Sequence, residues 1–375
     1  MIYFDSAATT LQKPKVVSLA MEKAIRTMSS PGRGSHQATQ LAEETAFQCR
    51  LAAAELFGVS RPENVVFTFN ATHGLNIAIR SVIKPGMRVL VSGYEHNAVM
   101  RPLFAIPGIE LTVLDTPLFH PDQMLAEFTA ALERGTDAVI CNHVSNVFGT
   151  VQPVGEMAAQ CRMKKIPMIV DASQSAGILP VRMDDWGVSF IAMPGHKGLY
   201  GPQGTGLLLC NASADPLLCG GTGSMSQSLQ MPDELPDRLE AGTHNMPGIA
   251  GLLEGIRFVE KKGISTIFSH ERRLAMEMCQ YLRNIEDVHV FWREGFAHQT
   301  GVISFVVEGR DTEEVAEALA SRGIALRSGL QCAPLAHRTV GTMRTGTIRW
   351  SCSAFNQKNE LEQFAQELRA VILQK

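Results

Sequence analysis

No stretch of this sequence approaches the roughly 18 consecutive apolar residues of a membrane-spanning helix. The first ten residues carry neither a basic cluster nor an apolar run, so no signal peptide is expected. No CxxC pair occurs among the eight cysteines, which are scattered. In a chain this long they read as reduced thiols in the cytoplasm, not as a disulfide framework or a metal site. Charge of one sign is never concentrated: the net charge of −3 comes from interspersed acids and bases, which argues against a nucleic-acid surface, a membrane surface or a charged tail. Internal repeats, low-complexity stretches and a Pro/Gly linker are also missing. No GxGxxG follows the first strand, which disfavours a nicotinamide-dependent dehydrogenase.

What is present is an ordinary globular composition, 45% hydrophobic and 19% charged over 375 residues, enough for two cores. Short β-branched runs at 65–69, 88–92, 111–115, 138–143, 168–171, 190–193 and 206–210 predict strands. Several are almost wholly apolar, as strands covered on both faces should be. Helical patterns lie between them, for instance at 74–83, 124–132 and 156–165. The alternation predicts an α/β layer on a mostly parallel sheet. After about residue 251 the texture changes to α+β, with a long helix through Ile267, Leu274, Met278 and Leu282, a strand at 302–307, a helix over 311–321 and a last helix from about 359. Asp311, with Glu314 three residues on, has the look of a capping box. We expect a large domain over 14–250, and a smaller one over 251–375 joined by the N-terminal segment 1–13.

Ligands of open α/β sheets bind at the carboxyl ends of strands, and polar residues cluster there. Asp171 ends an apolar run and opens Asp171-Ala172-Ser173-Gln174-Ser175-Ala176-Gly177. Lys197 follows 26 residues later (197 − 171) inside Pro194-Gly195-His196-Lys197-Gly198-Leu199-Tyr200-Gly201-Pro202. A lone lysine is usually a solvated charge, and a strand-end Asp is usually a helix cap. Together, and in this order, they fit pyridoxal 5′-phosphate (PLP) chemistry better. That chemistry needs an amine for a Schiff base and a carboxylate to keep the pyridine nitrogen protonated.

These two blocks, with Tyr3-Phe4-Asp5-Ser6-Ala7-Ala8-Thr9-Thr10 at the start and Arg349 near the end, make the chain resemble class-V aminotransferase-fold PLP enzymes. Within that class it is similar to the cysteine desulfurases and selenocysteine lyases. The resemblance implies the type I fold of PLP-dependent transferases and assigns roles to several positions. Ala71 and Thr72, opening a helix, would meet the cofactor phosphate, as would His196. His96 would stack on the pyridine ring. Asn146 and Gln174 would sit near the phenolic oxygen, Asn146 also near the substrate. Thr243, in Glu240-Ala241-Gly242-Thr243, would reach the phosphate of a partner subunit, which implies a homodimer. Arg349 would grip the substrate carboxylate, a bidentate task suited to a guanidinium, with Arg327 close by. Cys332, in Arg327-Ser328-Gly329-Leu330-Gln331-Cys332-Ala333-Pro334, would be the thiol that takes the substrate sulfur.

The short interval from Cys332 to Arg349 resembles the branch whose members often hand sulfur to an acceptor protein. The chain departs from the family pattern twice. His73 stands where Glu is usual, and Pro194 stands where a hydroxyl residue usually touches the phosphate. The other seven cysteines read as structural. Another reaction on the same cofactor, selenocysteine as substrate, and a non-catalytic scaffold are the rival readings. Intact Lys197, Asp171, Gln174 and Arg349 argue against the scaffold.

Overall fold

The computed structural model describes residues 1–32 and 34–373. A short strand, β1 (Ile2–Tyr3), and two helices, α1 (Lys15–Thr27) and α2 (Gln37–Phe57), open the chain. Strands and helices then alternate: β2 (Val65–Thr68), α3 (Ala71–Val82), β3 (Arg88–Ser92), α4 (Asn97–Phe104), β4 (Glu110–Leu114), α5 (Pro121–Glu133), β5 (Ala138–Asn142), α6 (Val154–Lys164), β6 (Met168–Asp171), α7 (Met183–Trp186), β7 (Phe190–Pro194) and β8 (Gly206–Cys210). The remainder comprises α8 (Met246–Lys262), α9 (Ile264–Arg283), β9 (Val288–Phe291), β10 (Val302–Val307), α10 (Thr312–Ser321), β11 (Ile324–Ala325), α11 (Pro334–Val340), β12 (Ile348–Ser351) and α12 (Lys358–Leu373). Among the described residues no helix is long and apolar enough to cross a membrane.

The seven strands read from apolar runs form one sheet in the order β2-β8-β7-β6-β5-β3-β4. Strands β3 to β7 are mutually parallel, and β8 runs antiparallel to both β7 and β2. This is the expected mostly parallel α/β sheet. Central strands such as β5 are buried at every position, which is why they read as unbroken apolar runs. The edge strand β4 alternates between exposed and covered residues.

A second core gathers on the antiparallel sheet β12-β10-β9, closed by Leu274, Met278 and Leu282 of α9 and by Phe364 of α12. Asp311 caps α10 as its sequence position suggested, accepting from the N–H groups of Glu313 and Glu314. The N-terminal segment is sewn into this core. Strand β1 pairs in parallel with β11, and Phe4 packs on Trp350 at 4.8 Å and edge-on to Phe364 at 5.8 Å. Burying such a ring is worth roughly 1.5–3 kcal/mol.

The division expected at 250/251 falls inside α8. Its Met246, Ile249, Leu252, Leu253 and Ile256 pack in the core of the large sheet. The helix stops at Gly263, whose φ of 83° is a conformation that suits glycine.

Candidate active site

Four parallel strands, β3, β5, β6 and β7, deliver their carboxyl ends to one side of the sheet. Since β3 continues to β4 on one flank and β5 to β6 on the other, a crevice opens where the winding reverses. The cavity there has a volume of about 210 Å³. Eight residues singled out in the sequence meet on its walls: Ala71, Thr72, His96, Asn146, Asp171, Gln174, His196 and Lys197.

Asp171 ends β6, opposite Asn142 and Ala192. Among the described residues, both hydrogen bonds its carboxylate accepts, from the N–H and the hydroxyl of Ser173, fall on Oδ1. Lys197 sits just beyond β7. Burial pushes its amine down to about 8, against the opposing pull of the Asp171 carboxylate. An amine at that value is partly unprotonated near neutral pH, which a free lysine is not. The N-terminal segment clasps the backbone here. The Thr10 N–H and the Lys13 ammonium donate to the His196 carbonyl at 3.1 and 2.9 Å, and the Thr10 hydroxyl donates to that of Lys197 at 3.2 Å.

Helix α3 points its first turn at the cavity. Asn70 caps it by accepting from the His73 N–H at 2.9 Å. The N–H groups of Ala71 and Thr72 lie in the turn that has no intrahelical acceptor, a natural anion seat. His196 adds a neutral ring, because burial and the nearby Lys197 and Lys13 push it down to about 4. Its Nδ1 is buried and has no partner among the described residues. His73, the unusual residue, is occupied locally: its ring stacks on Phe69 at 4.7 Å and its Nδ1 accepts from the Phe69 N–H. Pro194 closes β7, paired with Gly206.

His96 caps α4. Its Nδ1 accepts from the Ala98 N–H at 2.9 Å, so the ring proton sits on Nε2, and burial lowers its pKa. Beneath lies Glu95, fully buried. Its Oε1 accepts from the Ser92 hydroxyl and the Asn142 N–H. Burial pushes this acid up to about 8, so it is neutral beside Asp171. The Gln174 amide spends one N–H on the Ala7 carbonyl at 2.9 Å.

Arg349, on β12, is enclosed. Its Nη1 donates to the Asn146 carbonyl at 2.9 Å and its Nη2 to Asp5 Oδ1 at 2.8 Å, while Nε is buried with no partner among the described residues. Asp5 also takes Arg327 on Oδ2, so one carboxylate bridges the two arginines. Nothing in the sequence pattern set Asp5 apart from its block. It lies 344 residues from Arg349, and only the fold joins them.

Cys332 is exposed and lies just outside the cavity walls. Its carbonyl accepts from the Asn97 N–H at 2.8 Å, and the Gln331 carbonyl accepts from Asn146 Nδ2 at 2.8 Å. Both residues take left-handed backbone, φ 41° and 57°, a state that costs non-glycine residues about 1–2 kcal/mol each. Thr243 does not reach this cavity. It lines a separate pocket with Phe69, His73 and Gly206. Of the other seven cysteines six are buried, but Cys219 is exposed.

Residues 2–364 match the aminotransferase class-V family. The chain belongs to that family. Among relatives, a probable cysteine desulfurase of Pyrococcus abyssi is 30% identical, over 99% of this chain and 94% of its own length. A probable cysteine desulfurase of Xylella fastidiosa is 32% identical, over 99% of this chain and 91% of its own. Among solved structures, an apo cysteine desulfurase of Thermococcus onnurineus superposes with a TM-score of 0.90 at 29% identity, over 99% of this chain and 94% of that one. This class-V chain thus carries its family's fold over nearly its whole length. The residues that the sequence reading left out of the site are Asp5, Glu95, Asn142 and Gln331. All four act through bonds to a neighbour, so their residue types alone gave no signal.

Proposed function

We propose that this protein is a PLP-dependent cysteine desulfurase that converts L-cysteine to L-alanine and leaves the sulfur on Cys332 as a persulfide. The observation that carries the reading is the seat of the cysteine loop. Its carbonyls are bound by Asn97, which follows the cavity residue His96, and by Asn146, itself on the wall of the Lys197 cavity. The names of the relatives support the same reaction.

The cavity fits PLP group by group. Lys197 offers an amine for the carbonyl, and Asp171 a carboxylate for the pyridine nitrogen. The open turn of α3, the Thr72 hydroxyl and His196 suit the phosphate, and His96 offers a flat neutral ring. The unpartnered Nδ1 of His196 and Oδ1 of Asn146, both buried, are groups that a polar ligand would satisfy. Pro194 removes one hydroxyl from this set without filling the site.

PLP draws electrons away from the α-carbon of an amino acid joined to it. Lys197, held near 8 by burial, is the base that takes the Cα proton and returns one. Arg349, fixed by Asp5 and the Asn146 carbonyl, orients the substrate carboxylate. Cys332, as thiolate, attacks the substrate sulfur. The Cβ–S bond breaks as the new S–S bond forms, and the electron pair left on Cβ takes up a proton. Cysteine and a thiol thereby become alanine and a persulfide, with no outside oxidant.

The test is alanine release from L-cysteine, with mass spectrometry of the Cys332 peptide. Wild type should gain 32 Da on that peptide, the mass of one sulfur. Cys332→Ala should lose the turnover, and undiminished turnover would overturn the relay. Lys197→Ala should abolish it as well. A faster reaction with selenocysteine that survives Cys332→Ala would instead favour the lyase reading. The proposal includes a homodimer, supported by the exposed Thr243 and Phe69 at their shared pocket, and an acceptor protein that removes the sulfur. Sedimentation should give twice the 40.9 kDa of one chain.

A further inference from the structure

Cys332 and Gln331 are neighbours with opposite fates. The cysteine is exposed, whereas the glutamine side chain turns inward and is buried. Both hold a backbone state that L residues avoid, and nothing in the cysteine's own side chain accounts for it.

The glutamine supplies the account. Its Nε2 donates to the Thr347 carbonyl at 2.7 Å, which fixes the orientation of the amide. Its Oε1 therefore faces His337 Nε2 at 3.1 Å and accepts from it. His337 is fully buried, and burial pushes it down to about 4, so the ring is neutral with its single proton on Nε2. Its Nδ1 is then an acceptor, and the Thr342 hydroxyl lies 2.8 Å away to donate. The amide, the ring and the hydroxyl form a buried chain in which each donor has an acceptor. It roots the loop in α11 and in Thr347, the residue before β12.

On the opposite side the loop is held through its backbone, by Asn146 Nδ2 on the Gln331 carbonyl and by the Asn97 N–H on the Cys332 carbonyl. Rotating either residue to the right-handed region would turn these carbonyls away and break both bonds. The side-chain root and the two carbonyl bonds thus support a single backbone state. Asn146 ties that state to the substrate end of the site, because its own carbonyl accepts from Arg349.

We infer that Gln331 is a positioning residue, whose rooting on Thr347 and His337 holds the Cys332 thiol at the cavity mouth. The inference rests on the proposed desulfurase reading for its kinetic consequence but not for its structural one. Without the root, the loop relaxes, binding of the amino acid at Arg349 and Lys197 persists, and thiol attack becomes rare.

The experiment uses the full-length holoenzyme and Gln331→Met, which keeps the length of the side chain and removes its hydrogen bonds. Gln331→Glu is the second variant. It retains the acceptor for His337 but sets a carboxylate oxygen against the Thr347 carbonyl. Amide hydrogen exchange of peptides covering 328–336 should quicken at least tenfold in Gln331→Met, with the rest of the chain unchanged. Alanine formation from L-cysteine should show kcat down at least tenfold and KM within about twofold, in both variants. Unchanged exchange in the loop would overturn the inference, as would kcat and KM moving together with a global rise in exchange. Should wild type release no alanine, the desulfurase reading falls, and the exchange measurement still decides whether Gln331 roots the loop.

Discussion

At the scale of single residues, the carboxylate of Asp5 carries the most consequence per atom. It bridges Arg349, whose side chain is 2% exposed, and Arg327, at the half-open rim. An ion pair of this kind adds little net stability, because desolvation offsets attraction, but removing one partner strands the other. Asp5→Asn keeps the shape and leaves a buried guanidinium without a counter-charge. We expect a loss of about 3 kcal/mol in urea-induced unfolding, from the cost of an uncompensated buried charge. The urea midpoint checks it, and an unchanged midpoint would mean that Asn146 alone suffices for Arg349.

The sequence revealed the reacting groups at this scale and hid the supporting ones. Lys197 and Asp171 stand in unusual local company, whereas His96 was singled out only through the family resemblance. Asp5, Glu95 and Gln331 owe their roles to partners far along the chain or to a turned backbone, and neither is visible in a string of letters.

At the scale of elements, legibility followed burial. Strands β6 and β8 matched the expected 168–171 and 206–210 because every position is covered, which leaves an unbroken apolar run. Helices α1 and α2 were not read. The buried face of α2 is largely alanine, among them Ala42, Ala46 and Ala53, and offers little contrast with its exposed face. Strand β12 escaped because all four residues are buried, arginine and serine included, so no periodicity marks it.

What locks α2 to the large sheet is another buried ion pair. Arg50 clasps Glu240 through two bonds of 2.8 and 2.5 Å and lies over the Phe67 ring at 4.1 Å. Glu240 also accepts from the Phe67 N–H and pairs with His244. Glu240→Leu should therefore cost about 3–5 kcal/mol, since it strands Arg50 and a strand N–H at once. In the double variant Arg50→Met, Glu240→Leu, part of that loss should return, because no charge is left buried. A thermodynamic cycle over the four proteins measures it. Strictly additive losses would show that the two residues act independently.

At the scale of the whole molecule, two cores meet over Lys197, and the groups buried between them set how stability follows pH. Glu271 of α9 faces Tyr200, whose hydroxyl lies 3.4 Å from its Oε1, and burial pushes it up to about 8, as burial does Glu95. A raised carboxyl binds its proton more tightly in the fold. The stability it lends is full below the unfolded value, 4.5, and is lost as pH rises towards 8. Buried His143, His196 and His337, held near 4, act in the other direction. Their contribution is full above 6.5 and is lost as pH falls towards 4. Lys13 and Lys197, lowered to about 8 in the protein without cofactor, release their protons as pH nears and passes that value, and the stability they add grows from there towards 10.5.

Between pH 6.5 and 7.5 the two glutamates keep protons in the fold that the unfolded chain has released, while the three histidines, half protonated in the unfolded chain at 6.5, pull the other way and fade as pH rises. In cofactor-free protein the two glutamates should take away stability with rising pH there, by about 1.4 kcal/mol per pH unit for each proton retained. Glu271→Gln keeps the shape and removes one of the two protons. Its unfolding free energy in urea should fall less steeply than that of wild type across this window, by about 1.4 kcal/mol per pH unit, and the two curves should converge towards pH 5. Parallel curves at every pH would mean that Glu271 is ionised in the fold. The cleft behind Lys197 would then hold a negative charge, which would raise the lysine and weaken it as a base at neutral pH.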